Sequence, residues 1–486
     1  MKQYQVTFLP AGITVSADEG VTLLQAEREA GLCPNAPCGG NGTCGKCKVT
    51  TQAGTEVLAC QTIVDRDLVV TVPRSSSASI LTEGRNVAVP PDGKDTYCLA
   101  FDIGTTTVVA YLLSGKTGAL LAQASALNSQ GQYGGDVISR IQFVLEQGGG
   151  EMQRCILRLL DTLTRQLCED RGIAPEDITC TAIVGNTAMH HLLLGIDPRP
   201  LITPPYMPKE RQGLTLPAKE LLPTAGEIRI LPNIAGFVGG DTVGCMAATR
   251  FDRQEALTLL IDIGTNGEMV LGDKHRAICC STAAGPAFEG AKISCGMRGA
   301  EGAVDHVFLK NGEVSYHVIG DKPPVGLCGS GLLDLVAVLL ETGTIDETGR
   351  LEAGTYRLCD QVSLTQKDVR EVQLAKAAIR AGITLMARKI GIAIGQIQQV
   401  FLAGAFGNYL SPASACKTGM IPPELEAKIR PIGNAAGTGA RLCSLSAAEF
   451  AYAKKLARET EFLELAALPA FQDCYVDCLT FEEETE

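Results

Sequence analysis

The chain of 486 residues contains no tryptophan, and only 5% of its residues are aromatic. Its formal net charge is −12 at pH 7. Proteins that bind nucleic acid usually present a basic surface and aromatic side chains on which bases stack. This composition therefore argues against nucleic acid as a partner.

Long apolar stretches are also missing. No uninterrupted run approaches the roughly 20 apolar residues that cross a bilayer as a helix. Residues 1–10 (MKQYQVTFLP) have the pattern of a strand instead of the features of a signal peptide. We therefore expect no membrane partner and a cytoplasmic protein. With 45% hydrophobic residues, the chain has enough apolar material for several packed domains.

Cysteine, by contrast, is abundant, with 19 residues. A disulfide framework is not expected in a cytoplasmic chain of this size. Four cysteines follow the pattern C-x5-C-x2-C-x12-C, and they are Cys38, Cys44, Cys47 and Cys60. Four thiolates at this spacing in a glycine-rich loop are typical of a 2Fe-2S cluster, because glycine lets backbone amides turn toward the sulfurs. We therefore predict that these four cysteines bind a 2Fe-2S cluster.

Two alternatives exist for this loop. Zinc also binds four cysteines, but zinc sites usually contain two C-x2-C pairs and this segment has one. Cys33 lies five positions before Cys38 and could replace it as a ligand, although it precedes the glycine-rich turn. We favour the 2Fe-2S cluster with Cys38 as its first ligand.

The residues around the cysteines predict a small domain over residues 1–73. Alternating residues in 2–9 and 12–16 predict two strands, and residues 23–30 have a short helical pattern. Further apolar strands come after the cysteine loop. This order resembles the β-grasp ferredoxins of the plant and adrenodoxin type, which are α+β domains with a 2Fe-2S cluster.

Residues 74–96 separate this domain from the rest of the chain. Serines, a proline pair and scattered charges occur here without a sustained period. Such a composition is typical of a linker. It would let the ferredoxin-like domain move relative to the larger C-terminal part of the protein.

A repeat dominates the remaining sequence. Residues 98–113 (CLAFDIGTTTVVAYLL) and 257–272 (LTLLIDIGTNGEMVLG) each contain an Asp-Ile-Gly-Thr turn between two apolar strands. The two turns start at Asp102 and Asp262, 160 residues apart. Glycine in such a turn permits close approach of a phosphate, threonine hydroxyls can donate to it, and the aspartate can hold Mg²⁺. Two facing copies would bind a triphosphate from both sides.

A third element lies near the end of the chain. In residues 399–409 (QVFLAGAFGNY), an apolar strand leads into a Gly-Ala-Phe-Gly turn. A glycine turn of this kind leaves room for a flat nucleoside base against the backbone. With the repeat, it predicts a complete nucleotide site.

These three elements together resemble the superfamily of acetate and sugar kinases, heat-shock chaperones and actin. The resemblance implies a two-lobed α/β actin-like (ribonuclease H-like) ATPase, with lobes at 97–255 and 256–470. The acidic end of the chain (FEEETE) predicts a solvated C-terminal tail, which we place at 471–486. It implies that ATP and Mg²⁺ are cofactors. The residues that match the two phosphate loops and the adenosine loop are Asp102, Gly104, Thr105, Thr106, Asp262, Gly264, Thr265, Asn266, Gly404 and Gly407.

Longer segments of the sequence indicate one family within this superfamily. Residues 184–206, 232–244, 283–305 and 326–343 are similar to those of the reductive activators of corrinoid-dependent enzymes. This resemblance implies ATP-dependent transfer of an electron from the 2Fe-2S cluster to an inactive Co(II) corrinoid protein, which restores Co(I). The implied partners are a corrinoid protein, either of a methyltransferase system or a corrinoid iron–sulfur protein, and an upstream electron donor.

Catalytic roles can be proposed for three carboxylates. Asp102 and Asp262 are candidates for positioning Mg²⁺ and water. Asp241, in a glycine-lined GGDTVG turn, is a candidate for orienting or deprotonating the attacking water, although an aspartate there could simply cap a helix. Glu268 and Glu289 are alternatives for the same task.

Three other functions compete with the activator hypothesis. A small-molecule kinase fused to a ferredoxin would share the phosphate loops but would have no use for the cluster. A redox-sensing nucleotide-binding protein would hydrolyse ATP very slowly, whatever corrinoid partner is present. An activator of the dehydratase type would hold a 4Fe-4S cluster between ATPase subunits, and the ATPase half has no suitable cysteine pair for it.

Overall fold

The computed structural model describes residues 2–32, 34, 36, 38–40, 42, 45–73, 89–93, 95–290 and 292–481. Most of the predicted linker, together with Cys33 and Cys44, lies outside the described residues. Within the described part of the chain, no helix combines the length and apolar character needed to cross a membrane.

The N-terminal domain is a five-stranded sheet with one helix. The elements are β1 Gln3–Leu9, β2 Ile13–Asp18, α1 Leu23–Glu29, β3 Lys48–Thr51, β4 Glu56–Leu58 and β5 Leu68–Thr71. In the order β2-β1-β5-β3-β4, β1 pairs parallel with β5 and the other neighbours are antiparallel. Thr22 starts α1 by accepting a hydrogen bond from the backbone N–H of Gln25. Leu23 and Leu24 on α1 are buried against the sheet, which is the predicted β-grasp arrangement.

The first lobe contains a six-stranded sheet and four helices. The strands are β6 Tyr97–Ile103, β7 Thr107–Ser114, β8 Leu120–Leu127, β9 Ile178–Gly185, β10 Leu214–Pro217 and β11 Glu227–Ile230. The helices are α2 Val137–Gln147, α3 Gly150–Arg171, α4 Thr187–Leu194 and α5 Gly240–Thr249. The sheet order is β10-β11-β9-β6-β7-β8, with β6 parallel to β9 and antiparallel to β7. The strand β6 is buried along most of its length, so it fixes the following turn in the centre of the lobe.

The second lobe repeats this plan. Its main strands are β12 Thr258–Ile263, β13 Gly267–Gly272, β14 Ala277–Thr282, β20 Gln399–Ala403, β21 Ile429–Pro431 and β22 Glu461–Phe462. Two smaller sheets contain β15 Ala303–Lys310, β16 Glu313–Val318, β17 Gly326–Leu327, β18 Thr355–Arg357 and β19 Ser363–Thr365. The helices are α6 Gly329–Glu341, α7 Gln366–Ile390, α8 Gly404–Tyr409, α9 Pro412–Lys417, α10 Ala435–Leu445, α11 Ala447–Glu459 and α12 Ala470–Asp477.

The two large sheets share one strand order. Reading from the third strand of each meander, the first lobe has β8-β7-β6-β9-β11 and the second has β14-β13-β12-β20-β21. In both sheets, three antiparallel strands are followed by two strands that run parallel to β6 in the first lobe and to β12 in the second. This repeated order confirms the predicted two-lobed, ribonuclease H-like fold.

The helices α5 and α10 lie between the two sheets and join them. Their residues form one apolar core with the inner faces of both sheets. The two helices cross at glycines, and a Cβ added to Gly439 would lie 2.3 Å from the carbonyl oxygen of Gly244. The lobes therefore meet by direct backbone contact.

The end of the chain packs on the second lobe. The helix α12 lies against α7, and Phe481 is only 7% exposed. The Gln373 amide donates to the carbonyl of Leu479 at 2.8 Å. Residues 470–481, most of which we predicted as a tail, thus contribute to the core of the lobe, because α12 covers apolar residues that α7 would otherwise expose. The last five residues lie outside the described part.

Candidate nucleotide cleft and cluster loop

The two Asp-Ile-Gly-Thr turns occupy equivalent positions in the two lobes. Each turn connects the first two strands of its sheet, β6 to β7 and β12 to β13. The Gly104 N–H donates to the carbonyl of Thr107, and the Gly264 N–H donates to that of Asn266, both at 2.9 Å. These bonds tighten each turn, so that the residues between the strands face the space between the lobes.

Three carboxyl groups, one from each turn and one from α5, come together between the lobes. Burial raises the pKa of Asp102 and of Asp262 to about 7. The charge of Asp241 contributes to the increase in both pKa values. Burial likewise raises the pKa of Asp241 to about 6. The pKa of Glu268 is raised well above its usual range by burial and by its acidic neighbours. Such a concentration of carboxyl groups would be stabilised by a cation.

Each aspartate of the repeat contacts a side chain from the opposite lobe. The amide of Asn434, at the start of α10, donates to Asp102 Oδ2 at 2.8 Å. The thiol of Cys245, on α5, lies 3.7 Å from Asp262 Oδ2. Each predicted phosphate loop is therefore in contact with a side chain from the other lobe.

The predicted adenosine loop reaches the second phosphate loop through one of its two glycines. Gly404 has a φ of 82°, and a Cβ at this position would lie 2.6 Å from Asp262 Oδ1. A side chain there would both strain the backbone and displace the carboxylate. A Cβ on Gly407 would instead contact Leu402 of β20 at 3.3 Å, so this glycine supports the packing of α8.

Glu289 connects the two phosphate loops. Its Oε2 accepts a hydrogen bond from the Thr106 hydroxyl, and its Oε1 accepts one from the Thr265 hydroxyl, both at 2.5 Å. Arg298 interacts electrostatically with Glu289. Burial lowers the pKa of Arg298, and the charge of Glu289 offsets part of this decrease. The Glu289 carboxylate thus lies between the two threonines that we predict to bind phosphate.

Other residues that hold the first loop escaped prediction. The amide of Asn186 donates to the Thr105 hydroxyl at 2.9 Å. The guanidinium of Arg140 donates to the carbonyl of Thr105 at 2.5 Å. Asn186 and Asn434 share a signal that could have revealed them, since each follows glycine after a strand and starts a helix.

The described cysteines of the cluster loop lie near one another. Burial raises the pKa of Cys60 to about 11, and a hydrogen bond with Cys47 and the nearby Cys38 raise it further. The glycines of this loop all have positive φ, and they are Gly39, Gly40, Gly42 and Gly45. Gly42 has a φ of 74°, which favours glycine, and a Cβ there would also lie 2.3 Å from the side-chain Nε2 of Gln61.

The thiols and the glycine backbone therefore fit a sulfur-bridged cluster. The fourth predicted ligand, Cys44, lies outside the described residues. Among the described residues, no three His, Cys, Asp or Glu side chains are arranged as a ready-made metal site. For the nucleotide cleft this is compatible with Mg²⁺, which is usually held by one or two carboxylates together with phosphates and water.

Three family models match consecutive parts of the chain. Residues 6–65 match the 2Fe-2S iron-sulfur cluster binding domain. Residues 97–254 match the RACo middle region, and residues 256–486 match the C-terminal domain of RACo, described as the ASKHA domain. The three matches correspond to the N-terminal domain and the two lobes of the structure.

Several known proteins are similar to this chain over most of its length. The corrinoid activation enzyme RamQ of Eubacterium limosum is 37% identical over 79% of this chain and 70% of its own length. The [Co(II) methylated amine-specific corrinoid protein] reductase of Methanosarcina barkeri is 25% identical over 79% of this chain and 77% of its own. A solved structure of a reductive activator for corrinoid,iron-sulfur protein is 30% identical, covers 98% of both chains and has a TM-score of 0.71. The chain belongs to the RACo family of reductive activators of corrinoid proteins.

Proposed function

We propose that this protein is an ATP-dependent reductive activator, which passes an electron from its 2Fe-2S cluster to an inactive Co(II) corrinoid protein and restores Co(I). The observation that carries the proposal is the presence, on one chain, of a ferredoxin-type cysteine loop and of two Asp-Ile-Gly-Thr turns that Glu289 joins across the cleft. The names of the similar proteins support a corrinoid protein as the target. We place this activity in the cytoplasm, as the sequence predicts.

The cleft supplies the residues that a magnesium nucleotide needs. Asp102 and Asp262 would hold Mg²⁺ directly or through water, and the cation would favour the ionised forms that burial and the charge of Asp241 disfavour. The phosphate oxygens would accept hydrogen bonds from the hydroxyl and amide groups of the two loops, and these belong to Thr105, Thr106, Thr265 and Asn266. Gly404 would leave room for the nucleoside beside the second loop.

Two carboxylates are suited to orient the attacking water. Asp241 lies in the first turn of α5, where it accepts a hydrogen bond from the Thr242 N–H at 2.7 Å. Glu289 lies between Thr106 and Thr265, the residues assigned to the phosphates. We assign the orienting role to Asp241 and propose that Glu289 is released from the threonines when phosphate takes its place, so that it can assist as a base.

Energy from ATP is needed because of the redox potentials involved. A plant-type 2Fe-2S cluster lies near about −400 mV. Transfer of one electron to an acceptor about 100 to 200 mV lower costs about 2 to 5 kcal/mol. Closure of the two lobes around a nucleotide can offset this cost if the closed form binds the partner in a state that is easier to reduce. The cluster, when bound, would supply the single electron.

The test is the oxidation state of cobalt, followed by anaerobic absorption spectroscopy. The protein is mixed with a reductant and a Co(II) corrinoid protein, with and without Mg-ATP. We expect Co(I) to appear only with Mg-ATP. Cys44→Ser should abolish the reduction and leave ATP binding intact, which separates the two parts of the proposal.

Absence of Co(I) with several corrinoid proteins, despite an intact cluster and demonstrated nucleotide binding, would contradict the proposal. Turnover of ATP that depends on a small molecule would then favour a kinase. Slow hydrolysis that no corrinoid protein alters would favour a redox sensor.

A further inference from the structure

The N-terminal domain contacts both lobes of the ATPase next to the cluster loop. The guanidinium of Arg28, in the last turn of α1, donates to the backbone carbonyl of Gln132 in the first lobe. Its central carbon lies 5.2 Å from the centroid of the Tyr133 ring. On the other side, Lys46 Nζ lies 3.4 Å from the carbonyl oxygen of Gly296 in the second lobe. The domain therefore spans the two lobes.

Arg28 also lies beside the cluster loop. Its guanidinium is 3.4 Å from the carbonyl oxygen of Gly39, the residue after Cys38. Its positive charge is within electrostatic reach of Cys38 and Cys47. The Nε of Arg28 is buried and has no hydrogen-bond partner among the described residues. One side chain thus contacts the ATPase and retains an N–H donor next to two predicted cluster ligands.

The backbone that receives Arg28 belongs to the segment that holds the first phosphate loop. This segment runs from Asn128 to Arg140 and includes Gln132 and Tyr133. The amide of Asn128 donates to the carbonyl of Gly104 at 2.8 Å, and Arg140 donates to that of Thr105. Movement of the first phosphate loop would therefore be transmitted to the residues that Arg28 contacts.

The contact of Lys46 with Gly296 on the second lobe is likewise connected to the predicted phosphate loops. Gly296 packs against Gly290, and a Cβ on Gly296 would lie 2.3 Å from the carbonyl oxygen of Gly290. Gly290 directly follows Glu289, whose carboxylate joins the two phosphate loops. Release of Glu289 by a bound phosphate would therefore act on the residues that contact Lys46.

We propose that Arg28 couples the nucleotide state of the cleft to the reduction potential of the cluster. Without nucleotide, Arg28 is held between the cluster loop and Gln132, and its charge favours the reduced cluster. Mg-ATP binding moves the two lobes, breaks the contacts of Arg28 and Lys46, and exposes Arg28 to water. The potential of the cluster then falls. This inference rests on the proposed function and assigns to it a route of coupling.

The direction follows from elementary electrostatics. Reduction adds one negative charge to the cluster, and a nearby cation in a partly buried site stabilises that charge. Water screens the same cation once it is exposed, so the reduced form loses that stabilisation. A lower potential makes the cluster a stronger donor when ATP is bound, which is the moment at which the corrinoid protein requires the electron.

The experiment is an anaerobic redox titration of the full chain with its cluster, monitored by electron paramagnetic resonance. It is performed with no nucleotide and with a non-hydrolysable Mg-ATP analogue, and no corrinoid protein is present. In the wild type we expect the analogue to lower the midpoint potential. In Arg28→Gln, the potential should already be low without nucleotide, and the analogue should no longer shift it.

Two further variants make the test specific. Tyr133→Ala removes the ring that Arg28 faces without altering the N-terminal domain, and it should reduce the shift. Arg66→Gln changes an exposed arginine of the same domain that pairs with Asp65, and it should keep the wild-type shift. Absorption spectra confirm that each variant contains its cluster.

Two results would overturn the inference. One is a wild-type potential that does not respond to the analogue although calorimetry shows that the analogue binds. The other is a full shift in Arg28→Gln. Because no corrinoid protein is present, either failure would leave ATP-dependent formation of Co(I), and with it the proposed function, to be judged separately.

Discussion

The two phosphate loops have almost the same sequence but different environments. The carboxylate of Asp102 accepts a full hydrogen bond from the amide of Asn434. Among the described residues, that of Asp262 has the weakly donating thiol of Cys245 at 3.7 Å and lies beside Gly404. Asn434 and Cys245, the two side-chain partners, each belong to the lobe opposite their aspartate, whereas Gly404 belongs to the same lobe as Asp262. The duplicated motif therefore builds one shared site, in which one loop is held firmly and the other is held loosely.

Removal of either aspartate is the strongest way to test whether the loops share one task. Asp102→Ala and Asp262→Ala should each reduce ATP turnover at least about 100-fold, because both carboxylates would hold the same metal ion. Steady-state phosphate release measures this. Glu255→Gln, which changes an exposed residue at the end of the first lobe, serves as the control. Full turnover in Asp262→Ala would contradict the assignment of both loops.

The pH dependence of nucleotide binding tests the shared charge. Asp102 and Asp262 have pKa values near 7, and Mg²⁺ requires their ionised forms. The affinity for Mg-ATP should therefore fall about tenfold for each carboxyl as the pH decreases from 8 to 6. Asp102→Asn should remove about half of this dependence. Calorimetry in buffers of different ionisation enthalpy measures the affinity and the protons released.

The same pKa values determine whether the free energy of unfolding rises or falls with pH. Between the ordinary aspartate pKa of about 4 and about 7, the folded protein binds more protons than the unfolded chain. Without nucleotide, the free energy of unfolding should therefore decrease as the pH rises through this range. A rise over the same range, measured by chemical denaturation, would show that the two carboxyl groups are not the dominant titrating pair.

The smallest expected effect is a difference in stability between variants that remove the side-chain partner of Asp102 and that of Asp262. Asn434→Ala leaves Asp102 without its amide donor and should cost about 1 to 3 kcal/mol in the free energy of unfolding at pH 8. Cys245→Ala removes only a weak donor 3.7 Å from Asp262 and should cost less. Equal losses in the two variants, measured by urea denaturation, would mean that the two environments do not differ in strength.

Much of this architecture could be predicted from the sequence. The two turns were recognisable because each combines a short Asp-Ile-Gly-Thr motif with apolar strands on both sides, and these are local features. The hydrogen bond between Asn434 and Asp102 joins residues 332 positions apart, so no local pattern predicts it. The same holds for the contact of Arg28 with Gln132, which depends on how two domains meet.

The C-terminal residues illustrate a different difficulty. The sequence predicts a C-terminal tail over residues 471–486, but α12 and Phe481 pack on the second lobe, and the acidic residues 482–486 lie outside the described part. Whether a short amphipathic segment is exposed depends on the apolar surface available to it. In this protein α7 provides that surface, and a single sequence does not show it.

The crossing of α5 and α10 has a consequence for how the lobes can turn. Interlocking side chains normally fix the angle between two packed helices. At Gly244 and Gly439 there are none, so the two backbones touch at a smooth point of contact. The two helices can therefore rotate about this point of contact, which changes the angle between their axes but not the distance between them. A methyl group at Gly439 would lie 2.3 Å from the carbonyl oxygen of Gly244, so it would force the two helices apart.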